Sequence, residues 1–158
     1  MKYIFNVIII LIVSNAIAQN QLRTGSTPYA YCYGENLTCN SYGCSEIRVK
    51  TPYNSDVMVT IKKNNRVVKH GYIQGGDSYT FSFPNGTYQA FFYYGQNWKS
   101  SKLIKSGICG GIRGGFNSDE SFGKDSPKNL NNQALTYELI LQENGNFSTK
   151  PSNPDEAF

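Results

Sequence analysis

Four cysteines, a single histidine, a glycine-rich stretch around the last cysteine and a crowd of aromatics are the residues of this 158-residue chain whose types could do chemistry. Cys32, Cys39, Cys44 and Cys109 are an even set, which in an oxidising compartment points to disulfides. The competing chemistry is a zinc site. Against it, the C-x6-C-x4-C spacing lacks a C-x2-C knuckle, and the one imidazole, His70, is distant in sequence. Four cysteines allow three connectivities, and spacing does not choose among them. We expect one long bridge from the N-terminal group to Cys109 and one local bridge within 32–44. The long bridge closes a loop of about 65 to 77 residues, worth roughly 4 kcal/mol in the chain-entropy model.

His70 shares a strand face with Val68 and Tyr72, but no neighbouring pattern supplies the oriented nucleophile and carboxylate that a general base needs. The string Gly107-Ile108-Cys109-Gly110-Gly111-Ile112-Arg113-Gly114-Gly115 has the glycines of a phosphate loop without its Lys-Ser/Thr pair or its helix, and reads as a loop pinned by Cys109. Glu35, Asp119, Glu120 and Asp125 offer oxygen ligands, yet none stands in a calcium-loop string. Asn36-Leu37-Thr38, Asn85-Gly86-Thr87 and Asn146-Phe147-Ser148 fit the glycosylation sequon, which matters only in a eukaryotic source. No catalytic constellation emerges, so we expect a non-enzymatic protein without metal or cofactor.

The aromatics are the most suggestive group: twelve Tyr, nine Phe and one Trp against few charges. Phe91, Tyr93, Tyr94 and Trp98 are the candidate binding residues. Flat rings stack on sugars or anchor protein partners, and the same rings can instead fill a second core layer under the loop that follows them. The expected partner is a glycan or an envelope or extracellular protein. The alternative is a structural, envelope-associated protein with no small ligand, pairing with neighbours by strand addition. A mild positive charge spread along the chain gives no basic stripe for nucleic acid.

The elements that must position these residues begin after an export signal. Lys2, an apolar run from Tyr3 to Val13, and Ala16-Ile17-Ala18 are the three parts of a cleavable leader, so residues 1–18 are expected to be removed near Ala18. The run is too short to span a bilayer, and the protein is expected to be secreted or periplasmic with no membrane span. Residues 19–45 read as an irregular, cystine-stapled segment. Strand texture follows over 46–50, 57–62, 66–73 and 79–83, with Asn64-Asn65 as a tight hairpin turn. Pro84-Asn85-Gly86 reads as another hairpin turn, into a strand over 87–94 that is apolar on both faces. Residues 95–133 lose periodicity and read as a long Gly-rich loop hiding short strands near 102–104 and Ile112. Strand texture returns at 134–141, and 143–158 reads as a polar tail. We expect an all-β chain: a small antiparallel β-sandwich over 46–142.

Val57-Met58-Val59-Thr60-Ile61, Gly75-Gly76-Asp77-Ser78-Tyr79-Thr80-Phe81 and Phe83-Pro84-Asn85-Gly86-Thr87-Tyr88 give residues 57–94 a resemblance to the carboxypeptidase-regulatory-like and PEGA groups of prealbumin-like β-sandwich modules. That resemblance implies a sandwich and an accessory or binding role. Through Thr24-Gly25-Ser26-Thr27-Pro28-Tyr29 and Cys32-Tyr33-Gly34 the chain also resembles short exported bacterial proteins of unassigned function, which implies no activity.

Overall fold

The computed structural model describes residues 22–40, 42–140 and 150–158; the leader expected over 1–18 lies outside the described residues. The chain is all-β and builds two sheets. β1 (Cys44–Lys50), β4 (Ser78–Pro84) and β8 (Ala134–Glu138) form the smaller sheet in the order β4-β1-β8. β2 (Asp56–Lys63), β3 (Arg66–Ile73), β5 (Gly86–Lys105), β6 (Ile112–Lys124) and β9 (Lys150–Pro151) form the larger, in the order β3-β2-β5-β6-β9. β7 (Lys128–Leu130) pairs with the start of β5. Pairing is antiparallel except between β1 and β8, which run parallel. The expected sandwich is therefore antiparallel with one parallel edge.

Alternation puts the cores where period-2 texture predicts. Ile47 and Val49 of β1 meet Phe81 and Phe83 of β4 on one side, and Val57, Val59 and Ile61 of β2 on the other. β5 is the central case. Tyr88, Ala90, Phe92 and Tyr94 face this first core, while Phe91 and Tyr93 face a second core on the other side of the larger sheet. That second layer is roofed by Tyr29, by Ile112 and Phe116 from β6, and by Ala157 and Phe158. A short helix α1 (Ala30–Tyr33) and another, α2 (Pro154–Ala157), carry part of the roof.

Three expectations are corrected. Asn64 and Asn65 do take the positive φ of a tight hairpin (50° and 61°) between β2 and β3, but Pro84-Asn85-Gly86 closes no hairpin. It carries the chain from one sheet to the other, because Phe83 and Tyr88 stack at 4.6 Å within the sandwich and the Tyr88 hydroxyl donates to the Pro84 carbonyl at 2.7 Å. The supposed loop over 95–133 is mostly strand: β5 runs on to Lys105 and β6 returns from Ile112, with register shifts along the way. Gly95, Gly111, Gly114 and Gly115 are seats for side chains. A Cβ on Gly95 would stand 2.4 Å from Phe116 Cβ, and one on Gly114 would stand 2.6 Å from the Trp98 ring. The polar tail ends in a docked segment, with Phe158 only 5% exposed.

The bridges are Cys32–Cys109 and Cys39–Cys44, one long and one local as expected. The first ties the tip of the β5–β6 hairpin to α1, and the second braces the approach to β1. No helix among the described residues is long and apolar enough to cross a membrane.

Candidate functional site

The four aromatics read as a contact surface separate onto two faces of the larger sheet. Phe91 (5% exposed) and Tyr93 (1%) lie in the second core. Trp98 is half-buried there, edge-on to Tyr72 at 5.6 Å and to Phe116 at 5.2 Å. Tyr94 points the opposite way and packs against the first core. The Tyr93 ring stacks on Phe122 at 4.4 Å, its hydroxyl donates to Glu120, and it accepts from the Phe116 amide at 2.8 Å. Burial pushes that phenol well above its ordinary range, and the Glu120 hydrogen bond adds to the effect. Phe91, Tyr93 and Trp98 thus belong to the second core, with Phe122 over the Tyr93 face and the Lys62 ammonium over Phe91.

His70 is 1% exposed on β3. Its Nε2 pairs with the Gly34 carbonyl at 3.0 Å, which makes Nε2 the protonated nitrogen and leaves Nδ1 buried without a partner. Burial holds its pKa below the usual imidazole value. The carboxylates singled out in sequence stay apart. Glu35 accepts from Thr27 at 2.8 Å, Glu120 serves Tyr93 and Lys102, and Asp125 accepts from Tyr137 at 2.8 Å. Asp119, at φ 53°, is an exposed residue of β6. Among the described residues no three His, Cys, Asp or Glu side chains gather as metal ligands.

A concavity with mixed chemistry lies elsewhere, at the end of the smaller sheet. A cleft of about 520 Å³ is lined by Lys50, Tyr53, Asp77, Ser78, Glu138 and Ile140 among others. Tyr53 is 94% exposed and stands over Gly76, where φ is +82° and a Cβ would come within 2.6 Å of the ring. The two loops that make the floor are cross-braced. Gly76 N–H donates to the Pro52 carbonyl at 3.0 Å, and Gly75 N–H to Asp56 at 2.8 Å. The Thr51 hydroxyl bonds the Gln74 carbonyl at 2.5 Å. Thr24 donates to one Asp77 oxygen at 2.5 Å. The exposed Glu138 carboxylate stands at the end of β8, on the far side of β1. An exposed aromatic plane beside hydroxyl and carboxylate acceptors suits a hydroxyl-rich ligand or a polar protein surface.

No family model, no curated protein and no solved structure matches this chain. Sequence reading passed over Tyr53 because Pro52–Asp56 reads only as a turn. The signal was present: a large aromatic between Pro52 and Asn54 has no strand face to fill.

Proposed function

We propose that this chain is a non-enzymatic binding module working outside the cytoplasm, secreted or periplasmic, which contacts a glycan through the cleft around Tyr53. The observation that carries the reading is a nearly fully exposed aromatic ring held on braced loops beside Asp77, Ser78 and Glu138. Two disulfides are compatible with an oxidising destination, as is the leader expected over 1–18. The resemblance of residues 57–94 to regulatory-like and PEGA modules supports an accessory role. The test is a neutral and acidic glycan panel read by calorimetry against the wild-type chain and Tyr53→Ala. A ligand that loses at least about tenfold in affinity with Tyr53→Ala, at unchanged melting temperature, supports the cleft; one that ignores the substitution overturns it.

A second reading, a structural protein that joins neighbours by strand addition, is favoured by the edge of β8. Glu46 N–H donates to the Gln133 carbonyl and Leu139 N–H to the Lys50 carbonyl, so the alternation turns the backbone groups of Ala134, Thr136 and Glu138 away from β1. The edge carries neither Pro nor Lys, the usual guards against pairing. The edge at β3 is guarded instead: Ser26 and Gly25 pair with Tyr72, and the Asn36 amide brackets the His70 backbone. Thr136→Pro separates the readings, since it blocks a strand at β8 while leaving Tyr53 in place.

A further inference from the structure

Residues 150–158 lie on the outer face of the larger sheet as a bound peptide lies on a receptor. β9 pairs Pro151 and Lys150 with Gly123 and Lys124, and Ser152 N–H donates to the Phe122 carbonyl at 3.1 Å. The chain then makes one helical turn, α2, capped by Asn153, whose side chain accepts from Glu156 N–H at 3.0 Å.

The next four consecutive carbonyl oxygens each receive a side-chain donor from elsewhere in the fold. Lys105 donates to Asp155 O at 3.0 Å, Lys62 to Glu156 O, Thr60 to Ala157 O at 2.8 Å, and Tyr33 to Phe158 O at 3.0 Å. Main-chain acceptors read this way impose position, not sequence. Two side chains add identity. The Glu156 carboxylate pairs with Lys124 at 2.5 Å. The Phe158 ring enters an aromatic pocket, edge-on to Tyr29 at 5.1 Å and Tyr93 at 6.1 Å.

Beside this segment a cavity of about 370 Å³ remains, lined by Lys62, Lys105, Lys124, Asn65 and Gln89 together with the segment itself. Lys62 also lies 5.1 Å from the centre of the Phe91 ring. The Lys62 pKa is held down by burial and then by Lys105, with Glu156 opposing. The groove thus carries three ammonium groups facing two carboxylates, and an acidic segment relieves their mutual repulsion.

We propose that this groove is a recognition site for a short segment of a protein partner carrying two consecutive carboxylates, a small residue and an aromatic ring, and that residues 154–158 fill it in cis. The site is separate from the Tyr53 cleft, so either can fail without the other. Nine residues, 141–149, connect the segment to the rest of the chain.

The probe is a labelled peptide of residues 150–158, added to the full-length chain and to full-length Glu156→Lys/Phe158→Ala, in which the resident segment loses its two identity contacts. The variant should bind the peptide at least about tenfold more tightly than the wild type, with affinity falling as salt rises. Lys124→Glu added to the variant should abolish binding, and a peptide with Glu156→Lys should restore it, a charge swap that general destabilisation cannot mimic. A variant with native far-ultraviolet circular dichroism and no peptide binding overturns the proposal, as does binding indifferent to the Lys124 swap. If the double variant fails to fold, the swap is run with Lys124→Glu alone, and the same two outcomes decide. A wild-type dimer that Phe158→Ala dissolves would assign the groove to a second copy and overturn the partner reading.

Discussion

At His70 the cost of a buried, unpartnered nitrogen sets a pH dependence. Nε2–H is committed to the Gly34 carbonyl, and the Tyr29 and Tyr33 rings lie within 6.0 and 5.9 Å of the imidazole. Among the described residues the acid that favours the cation is Glu35, and burial outweighs it. Lys69, the neighbouring cation, is turned onto the Leu37 carbonyl. The unfolded chain takes up a proton near pH 6.5, and the folded chain only at lower pH. Stability is therefore fully present above about pH 6.5 and is lost as pH falls from there toward the folded value. Thermal melts should show a decline over this window that His70→Leu flattens, and a wild-type profile flat between about pH 5 and 7 would refute the account. The Asp125 contribution belongs to a separate, lower window: burial raises its pKa, but Tyr137, the Ser126 amide and Lys128 together hold it below the ordinary value. Glycine gives a second residue-scale test. Gly95 lies under Phe116 in the extended part of β5, with no positive φ to explain it. Gly95→Ala should cost about 1–3 kcal/mol by overpacking, read as a lower urea midpoint.

The elements show what the sequence made legible. Strands with one buried face announce themselves by alternation, as in Glu46-Ile47-Arg48-Val49-Lys50, where every second residue is buried. Alternation disappears where a strand is sandwiched between two cores, or where its glycines accept rings from the opposite strand. The first describes residues 87–94, which still read as a strand apolar on both faces; the second holds at Gly95 and Gly114, and the hairpin beyond Tyr94 therefore reads as a loop. The Pro-Asn-Gly turn after Phe83 misled for another reason: its local chemistry permits a hairpin, and only the stacking of Phe83 on Tyr88 sends the chain to the other sheet. Alternation along 87–94 divides Tyr94 from Phe91 and Tyr93, yet which row has a roof depends on contacts with residues 29–33 and 157–158, far away in sequence. The cysteines bear on the same question. Cys32–Cys109 joins residues 77 apart and Cys39–Cys44 residues 5 apart. In the chain-entropy model the first contributes ~4 kcal/mol and the second ~2 kcal/mol. Urea unfolding of Cys32→Ser/Cys109→Ser should therefore shift further than that of Cys39→Ser/Cys44→Ser, and the reverse order would mean the hairpin tip is held by packing alone.

The whole molecule is two cores sharing one sheet, and they are secured differently. The first core is closed by strands paired along their length, from Cys44 to Glu138. The second is closed by pieces: the 22–33 segment, the far half of the β5–β6 hairpin, and residues 157–158. What holds those pieces is a disulfide at the hairpin tip, the Tyr29 hydroxyl on the Gly114 carbonyl at 2.7 Å, and the carbonyl contacts of α2. Such a layer should open before the sandwich does, as a sub-global unit. Trp98, the chain's one tryptophan, sits in the second layer and reports on it alone. In Cys32→Ser/Cys109→Ser the Trp98 emission should shift to the red at a lower urea concentration than the loss of far-ultraviolet strand signal. Coincident transitions would make the two cores one cooperative unit. The order matters for function, because the pocket of Phe158 is built from Tyr29, Tyr33 and Tyr93, so opening the second layer dismantles the groove while leaving β1, β4 and the Tyr53 cleft assembled. A segment that takes the groove therefore stabilises the closed layer, with a free energy that grows as the logarithm of its concentration, and the gap between the two transitions should narrow as the 150–158 peptide is added to Glu156→Lys/Phe158→Ala.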